Sequence, residues 1–455
     1  MFCSDRQTMD DLNLFGRHGS DYSIMSLFNR CSTRGGAALL EEMFRYPLSD
    51  VSAINHRSQT IGSLSKKGVS FPFQHDLFDA IAPYLANTDE RTRLSFRQRG
   101  LKEKVNGLIA ADAETAMITK GVVSLVELIV TVKEFIHAGT LKSVSLLQGM
   151  IEDIKVLVHQ AELDSIDGPV AKTKLSQAAL SFYDSLLRFR HRGVIEKLLR
   201  HLYLLDVYIS VARVAKDNGF SFPEALPEGA LTLKLKGVYH PMVKAATGND
   251  ISADGNSNII FLTGANMAGK STLMKSLSLA IYLAHMGFPV PAADMTFSVL
   301  DGLYTTINLP DNLGMGASHF YSEVMRVKKM AREVTGDKRL FILFDELFRG
   351  TNVRDAYEGT IAITEGFASG KDSLFVLSTH ITEAGEVLKK RLSNIQFIYM
   401  PTEMEGARPV YPYKLREGIT DDRHGMVILR NEGVLEILEK GLKANPAAKV
   451  KEDVV

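Results

Sequence analysis

No excess of either charge marks this chain. Its 53 Lys and Arg balance 53 Asp and Glu over 455 residues, a formal net charge of zero, so a site for a polyanion has to be a local patch and not a global field. Cysteine is nearly absent. Cys3 and Cys31 have no metal-ligand spacing and are too few for a disulfide framework, which fits a reducing cytosol. The start, "MFCSDRQTMDD", lacks the basic and apolar blocks of a secretory signal. Apolar runs such as "LVELIVTV" are too short to cross a bilayer, and no repeat of fixed period suggests a solenoid. These absences predict a soluble cytoplasmic protein with no membrane partner. What is present suffices for a large core: 45% hydrophobic and 23% charged residues are ordinary for a globular protein, and the length sets a prior of about two or three domains.

Residues from 8 to 220 read as mostly helical. "GGAALLEEMFRYPL" has helical apolar spacing and stops at Pro47, and "GVVSLVELIVTVKEFIHAG" closes on Gly139. "SLLQGMIEDIKVLVHQAELDSI" and "VIEKLLRHLYLLDVYISVARVAKDNG" repeat the pattern, the second ending on Asn-Gly. The register changes after "GFSFPEALPEG", where Pro223, Pro227 and Gly229 mark a linker. The strands predicted beyond it are "LTLKLKG", "NIIFLTG", "LFILFDE", "LFVLST" and "IQFIYM". Their alternation with helical stretches argues for a largely parallel sheet with helices on its faces. The fold class expected is therefore multidomain α and α/β. An all-helical region over 1–222 precedes an α/β domain over 228–441, and a flexible tail follows over 442–455.

The stretch "TGANMAGKST", residues 263–272, carries the chemistry. Gly264 to Ser271 fits the strand–GxxxxGK[ST]–helix pattern of a phosphate-binding loop. Gly264 and Gly269 let the backbone turn so that successive N–H groups point at an anion, flanked by Ala265, Asn266, Met267 and Ala268. The helix that follows adds its N-terminal dipole. Lys270 can reach terminal phosphates, and Ser271, with Thr272 beside it, can present a hydroxyl to Mg²⁺. A glycine turn that binds nothing is the bland alternative, but the strand before and the helix after supply the required context. "RLFILFDELFRG" adds a strand ending in Asp345, suited to Mg²⁺, and Glu346, suited to polarising water. Such a pair is commonly only a solvated strand end. A lone Asp would permit nucleotide binding, whereas the adjacent Glu implies ATP hydrolysis. In "LFVLSTHITEAGE", Thr379 and His380 sit where a buried strand emerges. A lone His is more often a satisfied core or surface residue, yet beside the other two motifs it reads as a γ-phosphate sensor. "NLGMGASHFYSEVMRV" places Gly314, Gly316 and Ser318 before a helix. A helix start is the plain explanation, and donors for a neighbouring subunit's phosphate are the alternative.

These four motifs, in this order, resemble the ATPase domain of the MutS family of DNA mismatch-repair proteins, a branch of the ABC-type ATPases. "YHPMV", "GNDI" and "GFPVPA" are similar to further family segments, and "LFDELFRGTN" resembles its acid strand and Arg-Gly-Thr turn. "ASHFYSE" matches its signature at Ser318, Phe320 and Glu323. Outside this region, "LFNRCSTRGGAALLEEMFRYPLSDVSAINHRSQTI" looks like the start of the family's helical core, through Thr33, Gly36, Pro47, Leu48 and Arg57. "LLDVYISVARVA" looks like the core's final helix, and "YPYKLREGITDDRHGMVILRNEGVLEILEKG" like the C-terminal helix-turn-helix that seals the dimer. The resemblance implies ATP and Mg²⁺ as cofactors. Lys270 and the loop backbone would bind the phosphates, Ser271 and Asp345 the magnesium, Glu346 would activate water, and His380 would sense the γ-phosphate. It also implies a homodimer, with Ser318 reaching the partner's nucleotide, and a MutL-like protein as a further partner. Departures are expected too. No mismatch-reading domain with a Phe-x-Glu wedge, no connector domain and no Smr-type nuclease are found here, and the helical segment is short for a full DNA clamp. His319, Phe348 and Asn352 replace the usual Thr, small residue and Ser. Ala246 stands where an aromatic is expected to stack on adenine.

Two basic clusters interleave Arg or Lys with Phe: "RTRLSFRQRGLKEK", with Arg91, Arg93, Arg97 and Arg99, and "LLRFRHRGVIEK", with Arg188, Arg190 and Arg192. They are candidate contacts to duplex, mismatched or branched DNA, or the solvated faces of long helices. Two functions follow. One is a DNA-repair or recombination ATPase whose arms close on DNA when ATP clamps the dimer. The other is an ATP-driven dimerisation switch that remodels a protein without DNA. A transporter-coupled ATPase is disfavoured, since no Leu-Ser-Gly-Gly-Gln-like signature occurs.

Overall fold

The structure, a computed structural model, describes residues 2–16, 22–94, 108–142, 144–160, 162–168, 175–307, 319–336, 338–406, 408–420 and 433–444. Short helices α1 (Arg6–Asp11) and α2 (Ile24–Phe28) lead into α3 (Arg34–Arg45). α3 begins where the Thr33 hydroxyl accepts the Gly36 N–H at 2.9 Å and stops short of Pro47, which cannot continue a helix. α4 (Val51–Lys67) is capped by Asp50 and closed by Gly68 in the left-handed region at φ 64°, a conformation open to glycine at little cost. There follow α5 (His75–Ala86), α6 (Leu108–Ala138), α7 (Gln148–Val158) and α8 (Gln177–Asp184). A π-helical turn, Ser185–Arg190, then leads to α9 (Arg192–Asn218). The expected helices are therefore present, with one correction. The helix holding "LVELIVTV" is long: Ala113–Ala138 is apolar enough, by length and composition, to cross a membrane. The structure packs it against α5, α7 and α8, and its Val122, Leu125, Leu128, Ile129 and Val132 are wholly buried.

Two sheets make up the second half. The larger contains β4 (Ile259–Gly264), β6 (Gly302–Thr306), β7 (Leu340–Asp345), β8 (Leu374–Ser378), β9 (Ile395–Met400) and β12 (Arg416–Glu417), in the order β12-β9-β4-β8-β7-β6. All its pairings are parallel except that of β12 with β9. β4, β7 and β8 are buried on both faces apart from the half-buried Asp345, which is why they read as unbroken apolar runs. α10 (Lys270–His285) lies on one face, with α11 (His319–Val334), α12 (Val353–Phe367) and α13 (Thr382–Arg391) around a second core on the other. The smaller sheet, β1-β5-β2-β3, is mostly antiparallel. It joins β1 (Glu224–Leu226), β2 (Thr232–Val238), β3 (Asn249–Asp254) and β5 (Asp294–Ser298), so the segment expected to be a linker carries a strand. β10 (Glu403–Glu405) and β11 (Arg408–Val410) form a hairpin. α14 (Val434–Ala444) is the helix expected over "VLEILEKGL", and 421–432, the rest of the expected helix-turn-helix, lie outside the described residues.

The halves share one continuous hydrophobic core. Phe28 and Phe44 of the helical half meet Phe288 beyond α10 at centroid distances of 5.7 and 5.9 Å. All three are wholly buried, each contributing on the order of 2–3 kcal/mol. The Tyr282 hydroxyl donates to the Phe44 carbonyl, and Arg57 donates to the Met286 carbonyl at 2.8 Å. The chain's first residues also join the α/β half. Cys3 extends the sheet beyond β6 by a parallel bridge to Gly302. Asp11 accepts the Thr305 hydroxyl at 2.8 Å and the Ile307 N–H at 2.9 Å. Asp5 pairs with Arg326 and Lys329 of α11.

Candidate functional site

The register of the large sheet builds the site. Leu262 of β4 and Asp345 of β7 both pair with Ser378 of β8, so the loops leaving these three strands emerge side by side at the carboxyl edge, where ligands of open α/β sheets bind. After β4 the chain turns at Gly264, φ 138°, where a Cβ would lie 2.7 Å from the Met400 carbonyl, and at Gly269, φ 98°. α10 then starts at Lys270, leaving its first N–H groups without intrahelical acceptors. Ala268 is buried, Ala265 half-buried, and Met267, Ser271 and Thr272 are exposed; the Asn266 side chain is outside the described ones.

Lys270 is 2% exposed. Its Nζ donates to the Gly264 carbonyl at 2.7 Å and the Ala265 carbonyl at 3.1 Å, and lies 3.3 Å from His380 Nε2. Burial lowers its pKa, while Glu346 and Asp345 oppose that through space. The Ser271 hydroxyl donates to Asp345 Oδ2 at 2.8 Å. Burial raises the Asp345 pKa against that bond and the neighbouring Ser378 hydroxyl, and Oδ1 is buried with no hydrogen bond of good geometry. Glu346, at φ 56°, donates its N–H to the Ser378 carbonyl at 2.9 Å. His380 Nε2 lies 2.8 Å from its carboxylate. That contact first, and Arg349 next, hold the Glu346 pKa down to about 2 against burial. Thr379 is buried and ties β8 to β4, donating its N–H to the Leu262 carbonyl at 3.1 Å.

Lys270, Ser271, Asp345, Glu346 and His380 thus form one connected cluster. The donor set fits a hard divalent cation: a hydroxyl and a carboxylate already touch, one carboxylate oxygen is left over, and neither group has a competing ion pair among the described residues. Among the described residues no three His, Cys, Asp or Glu gather to hold a metal by themselves, so a cation here would complete its shell with water and ligand oxygens. Ser318, with Gly314 and Gly316, lies outside the described residues.

A cavity of ≈ 470 Å³ opens beside the loop, lined by Tyr239, His240, Ala246, Met267, Ser271 and Tyr413 among others. Ala246 is there, as expected, but the aromatic surface comes from Tyr239 and Tyr413, which the sequence did not single out. Tyr413 sits at φ 55°, and its carbonyl accepts from Asn249 at 3.0 Å. A wider, open groove of ≈ 610 Å³ between α3 and α9, lined by Gly35, Glu42, Glu196 and Arg200, has mixed charge and none of this chemistry.

The basic clusters need a correction. The Arg188 side chain is wholly buried: Nη2 donates to Asp184 Oδ2 at 2.8 Å, Nη1 to the Thr92 hydroxyl at 3.0 Å, and the guanidinium faces the Phe189 ring. It has no surface to offer a phosphate. Arg91, Arg190 and Arg192 pair with Asp89, Glu162 and Glu196, and Arg93 lies over Phe189. Arg97 and Arg99 fall outside the described residues.

Fold and site together define a two-part protein, helical then α/β, whose charged cluster sits at the strand tips around a glycine loop. Residues 7–212 match MutS domain III and residues 260–444 match MutS domain V. The chain belongs to the MutS family. It is 28% identical over 372 residues to the DNA mismatch repair protein MutS of Fusobacterium nucleatum, covering 79% of this chain and 39% of that relative. It is 32% identical over 238 residues to the MutS of Listeria welshimeri, covering 51% and 27%. With the MutS of Lactococcus lactis the figures are 28% over 288 residues, 61% and 34%. The chain therefore spans well under half the length of these curated relatives.

Proposed function

We propose that this chain is an ATP hydrolase of the MutS type, acting on DNA in mismatch repair or a related repair or recombination reaction. The observation that carries the reading is Lys270. A buried ammonium is costly unless an anion contacts it, and here its direct partners are two carbonyls and a histidine. A triphosphate at the loop would supply the missing negative charge. Lys270 then exchanges the loop carbonyls for β- and γ-phosphate oxygens, the loop N–H groups bind the same phosphates, and the cavity flanked by Tyr239 and Tyr413 receives the nucleoside. Mg²⁺ held by Ser271 and Asp345 would draw charge from the phosphate oxygens. Glu346 accepts the proton of the attacking water, and His380 follows the γ-phosphate. Ser318 of a second copy completes each site, making the active form a dimer.

Lys270→Ala should abolish nucleotide binding. Glu346→Ala should keep it while turnover falls by roughly 10²–10⁴-fold; unchanged turnover would rule out the assignment. Mixing Ser318→Ala with Lys270→Ala chains should restore one working site, and failure to do so would argue against a shared one.

A second reading, an ATP-driven dimerisation switch acting on a protein without DNA, is favoured by the arginines. One is buried and three are neutralised by nearby carboxylates, which weakens the pull of these clusters on a polyanion. DNA binding that falls steeply with salt supports the first reading, and no binding at low salt supports the second.

A further inference from the structure

Both oxygens of the Glu346 carboxylate are already engaged, one from the loop after β8 and one from the turn after β7. One faces His380 Nε2 at 2.8 Å. The other accepts the Nε of Arg349 at 2.7 Å and a second, shorter bond from the same guanidinium. Three of the roughly four lone-pair sites of the carboxylate are thereby taken, both on the Arg349 side and one on the His380 side. The oxygen held by the guanidinium has none left for a water, and proton transfer requires hydrogen-bond reach. The backbone maintains this arrangement under strain: Glu346 and Phe348 lie at φ 56° and 63°, a region that bulky side chains occupy rarely.

Phe348 is held by its surroundings. Its ring is 6% exposed and covers Gly359 of α12, where an added Cβ would stand 2.7 Å from ring atoms. It also meets Phe320 of α11 edge to face, centroids 5.6 Å apart. α11 makes a second approach to the turn. Glu323, one helical turn after Phe320, is a buried carboxylate. The Arg349 pKa is raised first by its hydrogen bond to Glu346, then by the charges of Glu346 and Asp345, and last by that of Glu323. Arg349 thus lies in the field of three carboxylates, Glu346 on its own turn, Asp345 at the tip of β7 and Glu323 on α11.

We propose that Arg349 is a positioning residue that holds Glu346 disengaged, and that α11 governs its release through Phe320 and Glu323. When α11 moves toward the turn, the Phe320–Phe348 contact carries the turn with it. Arg349 exchanges Glu346 for Glu323, and the freed Glu346 oxygen can face the water it deprotonates. Hydrolysis is then withheld until α11 makes that move. The inference rests on Glu346 being the base.

The test uses the full chain, measuring ATP turnover alongside the affinity of a fluorescent ATP analogue and the thermal midpoint. Arg349→Met keeps the stem and removes the clamp. Basal kcat should rise about tenfold, a fraction of what a general base supplies, with KM and analogue affinity within about twofold of the parent. Arg349→Lys, which restores a charge but not the fork, should fall between. Glu323→Gln should lower kcat with affinity unchanged, and it decides alone if the Met variant does not fold. A kcat for Arg349→Met at or below that of the parent would overturn the proposal, as would normal turnover in Glu323→Gln. Glu346→Gln separates the two levels. Turnover in that variant removes the base assignment itself, whereas a dead Glu346→Gln beside an unchanged Arg349→Met removes only the clamp.

Discussion

The two halves of the molecule bury charge in opposite ways. Among the described residues of the helical half, Arg188 and Asp206 have their buried charge answered from within the fold. Arg188 faces Asp184 with both side chains fully buried, and Asp206 of α9 accepts the Ser32 and Thr33 N–H groups at 2.9 and 2.8 Å and the Thr33 hydroxyl at 2.7 Å. At the strand tips of the α/β half the charges are only partly answered. Lys270 relies on carbonyls and Asp345 keeps an unbonded oxygen, while Glu346 alone is paired, by His380 after β8 and Arg349 after β7. The difference separates structural from functional charge. A satisfied pair fixes helices in place, whereas an under-satisfied cluster stores an interaction that a ligand can complete.

Breaking the closed side should cost most. Asp184→Ala leaves the Arg188 guanidinium buried without its carboxylate, a loss of about 3–5 kcal/mol, visible as a lower urea midpoint. Asp184→Leu combined with Arg188→Met removes both charges and should recover most of it. Nucleotide affinity should not change in either variant. If it did, the two halves would be coupled more tightly than this contrast allows.

Legibility follows the same division. β4, β7, β8 and β9 could be read from apolar runs, and parallel pairing sets their tips together, so Gly264, Lys270, Asp345, Glu346 and His380 were legible before any coordinates. β3, "NDISAD", and β5, "DMTFS", are short and polar on alternate positions, too weak a signal to separate from loop. Tyr239 and Tyr413 line one cavity from distant parts of the chain, a proximity that no local pattern encodes. Arg188 was misread because the turn Ser185–Arg190 is π-helical. Its wider repeat changes which residues share a face, and a basic run that looks solvated turns one member inward.

Acid should sharpen the contrast next. His285 is wholly buried at the seam of the halves. Its Nδ1 faces the Ile281 carbonyl at 2.8 Å, and its Nε2 accepts the Leu300 N–H at 2.9 Å. Both ring nitrogens are thereby committed to the neutral form, and burial lowers the pKa from 6.5 to about 4. A depressed folded-state pKa gives stability that is present above the unfolded value and lost as pH falls through the window between them. Going from pH 7 to pH 5 should therefore cost about 2 kcal/mol from this group. His285→Gln, which can still accept from Leu300, should flatten that limb of the stability profile measured by urea unfolding. An unchanged limb would mean that the buried ring takes its second proton without opening the seam.

The smallest expected change in stability is the most telling one. Methionine at position 270 keeps the apolar stem and removes the ammonium. In a site where a charge is well paired, such a change costs several kcal/mol. Where the charge is held only by carbonyls and a histidine, the desolvation that is relieved offsets the hydrogen bonds that are lost. Lys270→Met should thus leave the unfolding free energy within about 1 kcal/mol of the parent while the fluorescent ATP analogue no longer binds. A stability loss as large as that of Asp184→Ala would show that Lys270 is already fully compensated by the fold. The strand tips would then bury charge as the helical half does, and the lysine would no longer argue for an anionic ligand.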